Sequence, residues 1–169
     1  MAAGSTYTPI GTTTLGSAAA DVTFSSISGY TDLVIVAFAR YEGAGSGTGG
    51  LRVQFNSDSG TNYSLLAFSG TGTSATSGRA SSGTYGEIGE VPQTSVGTNT
   101  YSITTANVMN YASTSTYKTV ISRTGEANNI TRVIANVWRS TSAITSIRLF
   151  AGSNLSAGST FTIYGITAA

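Results

Sequence analysis

Seven carboxylates are the acid–base groups that this chain offers: Asp21, Asp32, Glu42, Asp58, Glu87, Glu90 and Glu126. There is no His and no Cys, which excludes a Ser–His relay, a thiol nucleophile and a Cys/His zinc site. Two-carboxylate chemistry is left, as in glycoside hydrolysis, where a pair of acids stands about 5–10 Å apart across the bond. Glu87 and Glu90 are the closest pair, in Gly86-Glu87-Ile88-Gly89-Glu90. Side chains alternate along a strand, so this spacing puts the two on opposite faces, where they share no substrate. They read as surface charges or as partners for arginines. Asn56-Ser57-Asp58-Ser59-Gly60 sets oxygen-bearing side chains around a Gly. A calcium loop gathers several carboxylates, and here Asp58 alone is charged, so a plain hairpin turn is expected. No enzyme, no cofactor and no metal site is expected.

Binding chemistry is better represented. Of the eight basic residues all but Lys118 are Arg, whose planar fork pairs with carboxylates and stacks on rings. Arg132 and Arg139 flank Trp138, and Arg148 lies on the next predicted strand. They form either an interfacial cluster or separate surface arginines. Tyr41, Tyr63 and Tyr85 adjoin loops, where a ring can stack on a sugar; most of the nine Tyr are expected to complete the core with a wetted hydroxyl.

The elements that position these residues follow from composition and period. The chain has 169 residues with 21 Gly, 25 Ser and 28 Thr, 9 % charged residues and a formal net charge of +1. Such a balance gives no electrostatic footprint for nucleic acid. The hydrophobic fraction is 40 %, with nine Tyr, six Phe and one Trp, which argues for a folded domain rather than a Gly/Ser linker. The longest apolar run, Leu33 to Ala39, is far too short to span a bilayer, and the first residues carry no export signal. A soluble protein with no membrane partner is expected, as one β-sandwich domain over residues 1–169 with residues 1–7 as a possible N-terminal arm.

Apolar and polar residues alternate with period two, as in Leu51-Arg52-Val53-Gln54-Phe55 and Thr160-Phe161-Thr162-Ile163, which is the signature of strands. The predicted segments are 8–15, 20–27, 32–41, 50–56, 62–69, 84–91, 100–111, 116–123, 129–139, 144–150 and 159–166. These eleven compete for eight to ten real strands. Loops are expected at Gly43–Gly50 and Gly70–Gly83, with a helical turn at Ser140–Ala143 or Asn154–Ala157. Short strands joined by Gly-rich turns predict an all-β, antiparallel sandwich.

Two segments break the alternation. Leu33–Phe38 is apolar on both sides, and so is much of Val133–Trp138. A sandwich strand has one inner face, so something covers the other: a loop or terminal segment, a neighbouring subunit or, as the weakest reading, nothing. The candidate interface is Ala2, Ala3, Ser5, Tyr7, Val34, Val36, Phe38, Arg132, Trp138 and Arg139.

Several phrases in order carry a resemblance. They are Tyr7-Thr8-Pro9-Ile10 with Thr12-Thr13-Thr14-Leu15, Val22-Thr23-Phe24-Ser25-Ser26-Ile27, and Tyr30-Thr31-Asp32-Leu33-Val34-Ile35. Then follow Leu51-Arg52-Val53-Gln54-Phe55-Asn56 with Gly60-Thr61-Asn62-Tyr63-Ser64, Met109-Asn110-Tyr111, Tyr117-Lys118-Thr119-Val120-Ile121-Ser122-Arg123, Trp138-Arg139-Ser140-Thr141, and Ala157–Ile166. The series resembles a group of tailed-bacteriophage virion proteins found among phages and cyanophages. The resemblance implies a jelly-roll-like sandwich on the virion surface, of the capsid decoration (cement) type or at a tail fibre or spike tip, assembled as a homotrimer. It brings no catalytic motif.

A fibre tip follows a shaft of heptads or β-helical repeats, and neither pattern occurs here. The expectation is therefore a cement protein, made in the host cytoplasm and bound to the major capsid protein on the capsid exterior. Ala2–Tyr7 or a Gly-rich loop would make the contact. The alternative is a fibre tip that binds host-surface glycan.

Overall fold

The computed structural model describes residues 6–45, 47–126 and 130–167. Twelve strands follow one another: β1 (Tyr7–Thr14), β2 (Ala19–Phe24), β3 (Asp32–Ala39), β4 (Thr48–Phe55), β5 (Tyr63–Thr71), β6 (Ala75–Gly83), β7 (Gly86–Pro92), β8 (Ser102–Val108), β9 (Lys118–Glu126), β10 (Ile130–Trp138), β11 (Ile147–Leu155) and β12 (Thr160–Ile166). A single 3₁₀ turn at Thr94–Val96 is the one helical element among the described residues. The helical turns expected at Ser140–Ala143 and Asn154–Ala157 are absent: the first is irregular chain, and the second begins inside β11.

The strands form two sheets, one of eight in the order β1-β12-β3-β8-β9-β10-β5-β6 and one of four in the order β2-β11-β4-β7. All their pairings are antiparallel. This is the expected all-β antiparallel sandwich. The count exceeds the expected eight to ten because all eleven predicted segments pair, and because β6 lies inside the stretch read as a loop. The first eight residues of β6 are exposed, so no apolar period marks it. It is held by backbone pairing to β5, where Phe68 faces Ser77 and Leu66 faces Arg79.

Period two is expressed as burial. In β9, Lys118, Val120, Ser122, Thr124 and Glu126 turn inward while Thr119, Ile121 and Arg123 turn out. Leu33, Ile35, Leu51, Val53, Leu149 and Phe161 meet between the sheets with almost no exposure. Burying side chains of this size contributes about 1.5–3 kcal/mol each. Close approach fixes one glycine here. A Cβ on Gly165 would fall on the ring of Tyr30, so β12 needs a bare backbone where that ring seals the sandwich end.

Candidate functional site

The outer face of the eight-stranded sheet is the most distinctive surface. Directly paired residues share a face, so the register identifies it. Val36 aligns with Thr105, Arg123, Val133 and Phe68 across five strands. Val34 aligns with Asn107, Ile121, Ala135 and Leu66 in the same way. Phe38 is 48 % exposed, Ile103 58 %, Ile121 46 % and Val133 47 %; Tyr7, Leu66 and Phe68 are exposed too. These seven, of the nine large hydrophobic residues that stand exposed among the described residues, all have the outward parity of this sheet. Among the described residues, no loop or terminal segment lies across them. A shallow hollow in the middle is lined by Tyr7, Val34, Asn107, Ile121, Arg123 and Val133. Scattered apolar side chains are ordinary on a surface, whereas a contiguous patch marks an interaction site.

Of the candidate interface residues, Tyr7, Val34, Val36 and Phe38 belong to this face. Val34 is buried and Val36 half-buried. Ala2, Ala3 and Ser5 lie outside the described residues. Tyr7 opens β1, so the arm expected over residues 1–7 does not include it.

Two candidates are corrected. Trp138 is 2 % exposed and stands in the core beside Phe55 and Tyr63, with ring centroids 5.5 and 6.4 Å away. Arg132 also turns inward. In β10 the even-numbered Arg132, Ile134, Asn136 and Trp138 take the inner parity, leaving Val133, Ala135 and Val137 outside. Arg139 follows with outward parity and donates from Nη1 to Ser64 Oγ at 2.9 Å. Arg148 is not their neighbour, because β11 belongs to the other sheet. Sequence reasoning missed Ile103, Ile121, Leu66 and Phe68. Their signal was an apolar residue at a wet parity between inward neighbours, such as Ile121 between Val120 and Ser122.

Glu87 and Glu90 are not on opposite faces. The β4–β7 register slips between Leu51 and Arg52, and Ile88 and Gly89 are both fully buried side by side. This bulge turns the two carboxylates to one side. Arg132 Nη1 bonds Glu87 Oε1 at 2.6 Å and Glu90 Oε1 as well. Burial raises the Glu90 pKa; attraction to Arg132 works against that, and Glu87 adds to the rise. Both acids are thus consumed by one arginine that joins the two sheets.

The outer face of the four-stranded sheet is charged and internally paired. Arg148 donates to Asp21 Oδ2 at 3.1 Å and Gln54 Oε1 at 3.0 Å. The Arg52 guanidinium lies 4.5 Å from the Tyr85 ring centroid and 6.0 Å from that of Phe150. Of the three loop-adjacent tyrosines, only Tyr85 is at a surface; Tyr41 and Tyr63 are buried. Phe55 N donates to Tyr63 Oη at 3.0 Å, and burial raises the pKa of that phenol.

The Asn56–Gly60 stretch is the expected turn. Asn56 and Ser57 have φ of 53° and 58°, a conformation that Asn tolerates better than most residues. Asp58 accepts from Gly60 N at 2.8 Å, Asn62 Nδ2 at 2.9 Å and Trp138 Nε1 at 2.6 Å. Its oxygens serve donors of the fold. Lys118 is fully buried and donates to Thr116 O at 2.9 Å and Thr141 O at 3.3 Å. Among the described residues no three acids gather as metal ligands. Comparisons with protein-family models, with curated proteins and with solved structures find no match for this chain.

Proposed function

We propose that this chain is a bacteriophage virion structural protein of the capsid decoration (cement) type, which works by adhesion as an oligomer. The apolar outer face of the eight-stranded sheet is the observation that supports the reading. A contiguous apolar surface of this kind gains free energy in water when another protein buries it. Its opposite is the outer face of the small sheet, where Arg148 is already paired with Asp21 and Arg52 stacks on Tyr85. A cement protein binds the assembled shell in preference to its free parts and stabilises it by mass action. The jelly-roll-like connectivity that accompanies the virion resemblance belongs to this proposal.

A second reading, a tail fibre or spike tip that binds glycan, is favoured by the Arg52–Tyr85–Phe150 stack, which sets rings and a guanidinium together at a surface. Copy number separates the two. Quantitative mass analysis of purified particles is expected to find the chain in tens to hundreds of copies. A handful of copies, with binding to host cells, overturns the cement reading in favour of the tip; absence from particles overturns both.

A further inference from the structure

The two strands with apolar residues on both sides, β3 and β10, are the third and sixth of the eight in the large sheet. They are equidistant from its midline, which runs between β8 and β9. They also match in level: Val36 pairs with Thr105, Thr105 with Arg123, and Arg123 with Val133. We propose that a second copy of this chain covers this face, packed sheet to sheet about a twofold axis that runs along the strands over that midline. The proposal rests on the adhesive reading of the face and not on the virion assignment.

Such an axis carries the third strand over the sixth, so β3 of each copy lies on β10 of the other. Val36 then meets Val133, Val34 meets Ala135, and Asp32 meets Val137. Arg139, two residues beyond Val137 on the same side, comes within reach of Asp32. Asp32 is the only carboxylate with outward parity on this sheet among the described residues. At the margins β6 crosses β1 and sets Arg79 level with Pro9, two residues from the exposed ring of Tyr7. The face is thus complementary to itself in its apolar strands and, at Asp32 and Arg139, in charge, as an isologous contact requires. Its size fits as well. Seven strand spacings of about 4.8 Å, by strands about 25 Å long, give about 800 Å², with strands of seven to nine residues. A standard interface takes about 800 Å² from each partner. One partner exhausts the face, so the assembly closes at two and the shell contact of the cement reading falls to another surface.

Sedimentation of the purified full chain at micromolar concentration is expected to show a dimer. Val133→Asp introduces a charge at a half-exposed site that the single chain does not pack, and is expected to raise the dimer dissociation constant about a hundredfold or more. A second variant reads the register. The chain has no Cys, so Val36→Cys with Val133→Cys adds two thiols about 14 Å apart within one copy, beyond disulfide reach. Facing backbones lie about 10 Å apart, also too far for a disulfide, so a short bismaleimide is the bridge; it is expected to give a covalent dimer on a denaturing gel with the double variant and with neither single variant. A monomeric or trimeric native chain, or a dimer that the double variant does not cross-link, overturns the proposal. A cross-linked dimer absent from virions upholds it while removing the virion reading.

Discussion

Glu87 Oε1 lies 2.6 Å from Arg132 Nη1, although β7 and β10 belong to different sheets. The side chains are 19 % and 13 % exposed, so the pair is largely out of water. Removing one partner of a buried pair leaves an uncompensated charge and costs about 3–5 kcal/mol. Arg132→Met strands two carboxylates together and is expected to fall in that range, lowering the urea midpoint steeply. Glu87→Gln leaves Arg132 its bond to Glu90 and is expected to cost well under half as much. Equal losses would show that the arginine is not shared.

Glu90 and Asp58 pull the pH dependence in opposite directions. Burial, the largest influence on Glu90, raises its pKa above the ordinary glutamate value of 4.5. The folded state therefore holds this proton more tightly than the unfolded chain. The stability it contributes is present below the unfolded pKa and lost as pH rises through the folded one. Glu90→Gln cannot ionise, so its stability relative to the native chain is expected to rise between about pH 4 and pH 7. Urea unfolding across that window tests this; a difference that stays constant sinks it.

For Asp58 burial acts to raise the pKa, but bonds from Trp138, Asn62 and the Gly60 N–H outweigh it and leave the group below 3.8. A depressed carboxylate stabilises the fold above its unfolded pKa, and that contribution is lost as pH falls through the folded value. Trp138→Phe keeps the packing against Phe55 and removes the Nε1 donor. It is expected to cost about 1.5–3 kcal/mol at neutral pH, with the cost shrinking in acid as the native Asp58 protonates. Unfolding curves at neutral pH and near pH 3 read both parts.

The strands themselves were legible because inner positions repeat every second residue, as in Leu51, Val53 and Phe55. What period two does not reveal is a bulge. Gly89 gave the one hint, since a glycine in a strand often marks one, and the bulge reverses the relation between Glu87 and Glu90. Edge strands that bury nothing are also silent, which is why Ala75–Gly83 read as a loop. The adhesive face was half legible. Two doubly apolar segments pointed to it, but parity had to be assigned before Trp138 and Arg132 could be moved inward. Ile103 and Ile121 joined only once the register across β8 and β9 placed them beside Phe38 and Ala135.

Tyr30 closes the sandwich end over Gly165, where a Cβ would fall on the ring. Gly165→Ala is an overpacking change, of a kind that costs about 1–3 kcal/mol. Tyr30→Ala alone opens a gap, and in its background the Gly165→Ala penalty is expected to vanish. A double-mutant cycle by thermal or urea unfolding measures the coupling. Additive effects would mean that the ring yields without strain.

Arg123 is the residue least suited to a twofold contact. It stands on β9, next to the sheet midline, so the axis brings the two copies of it close together. With sheets about 10 Å apart the repulsion is on the order of 1 kcal/mol. Arg123→Leu removes that repulsion and adds apolar area, so the variant is expected to dimerise several-fold more tightly than the native chain. Salt separates this from a simple gain in hydrophobicity. Raising ionic strength screens the Arg123 repulsion and the Asp32–Arg139 attraction alike, so salt is expected to weaken the Arg123→Leu dimer more than the native one. Sedimentation equilibrium at low and high salt measures both, and an equal salt dependence of the two dimers would place Arg123 away from the axis.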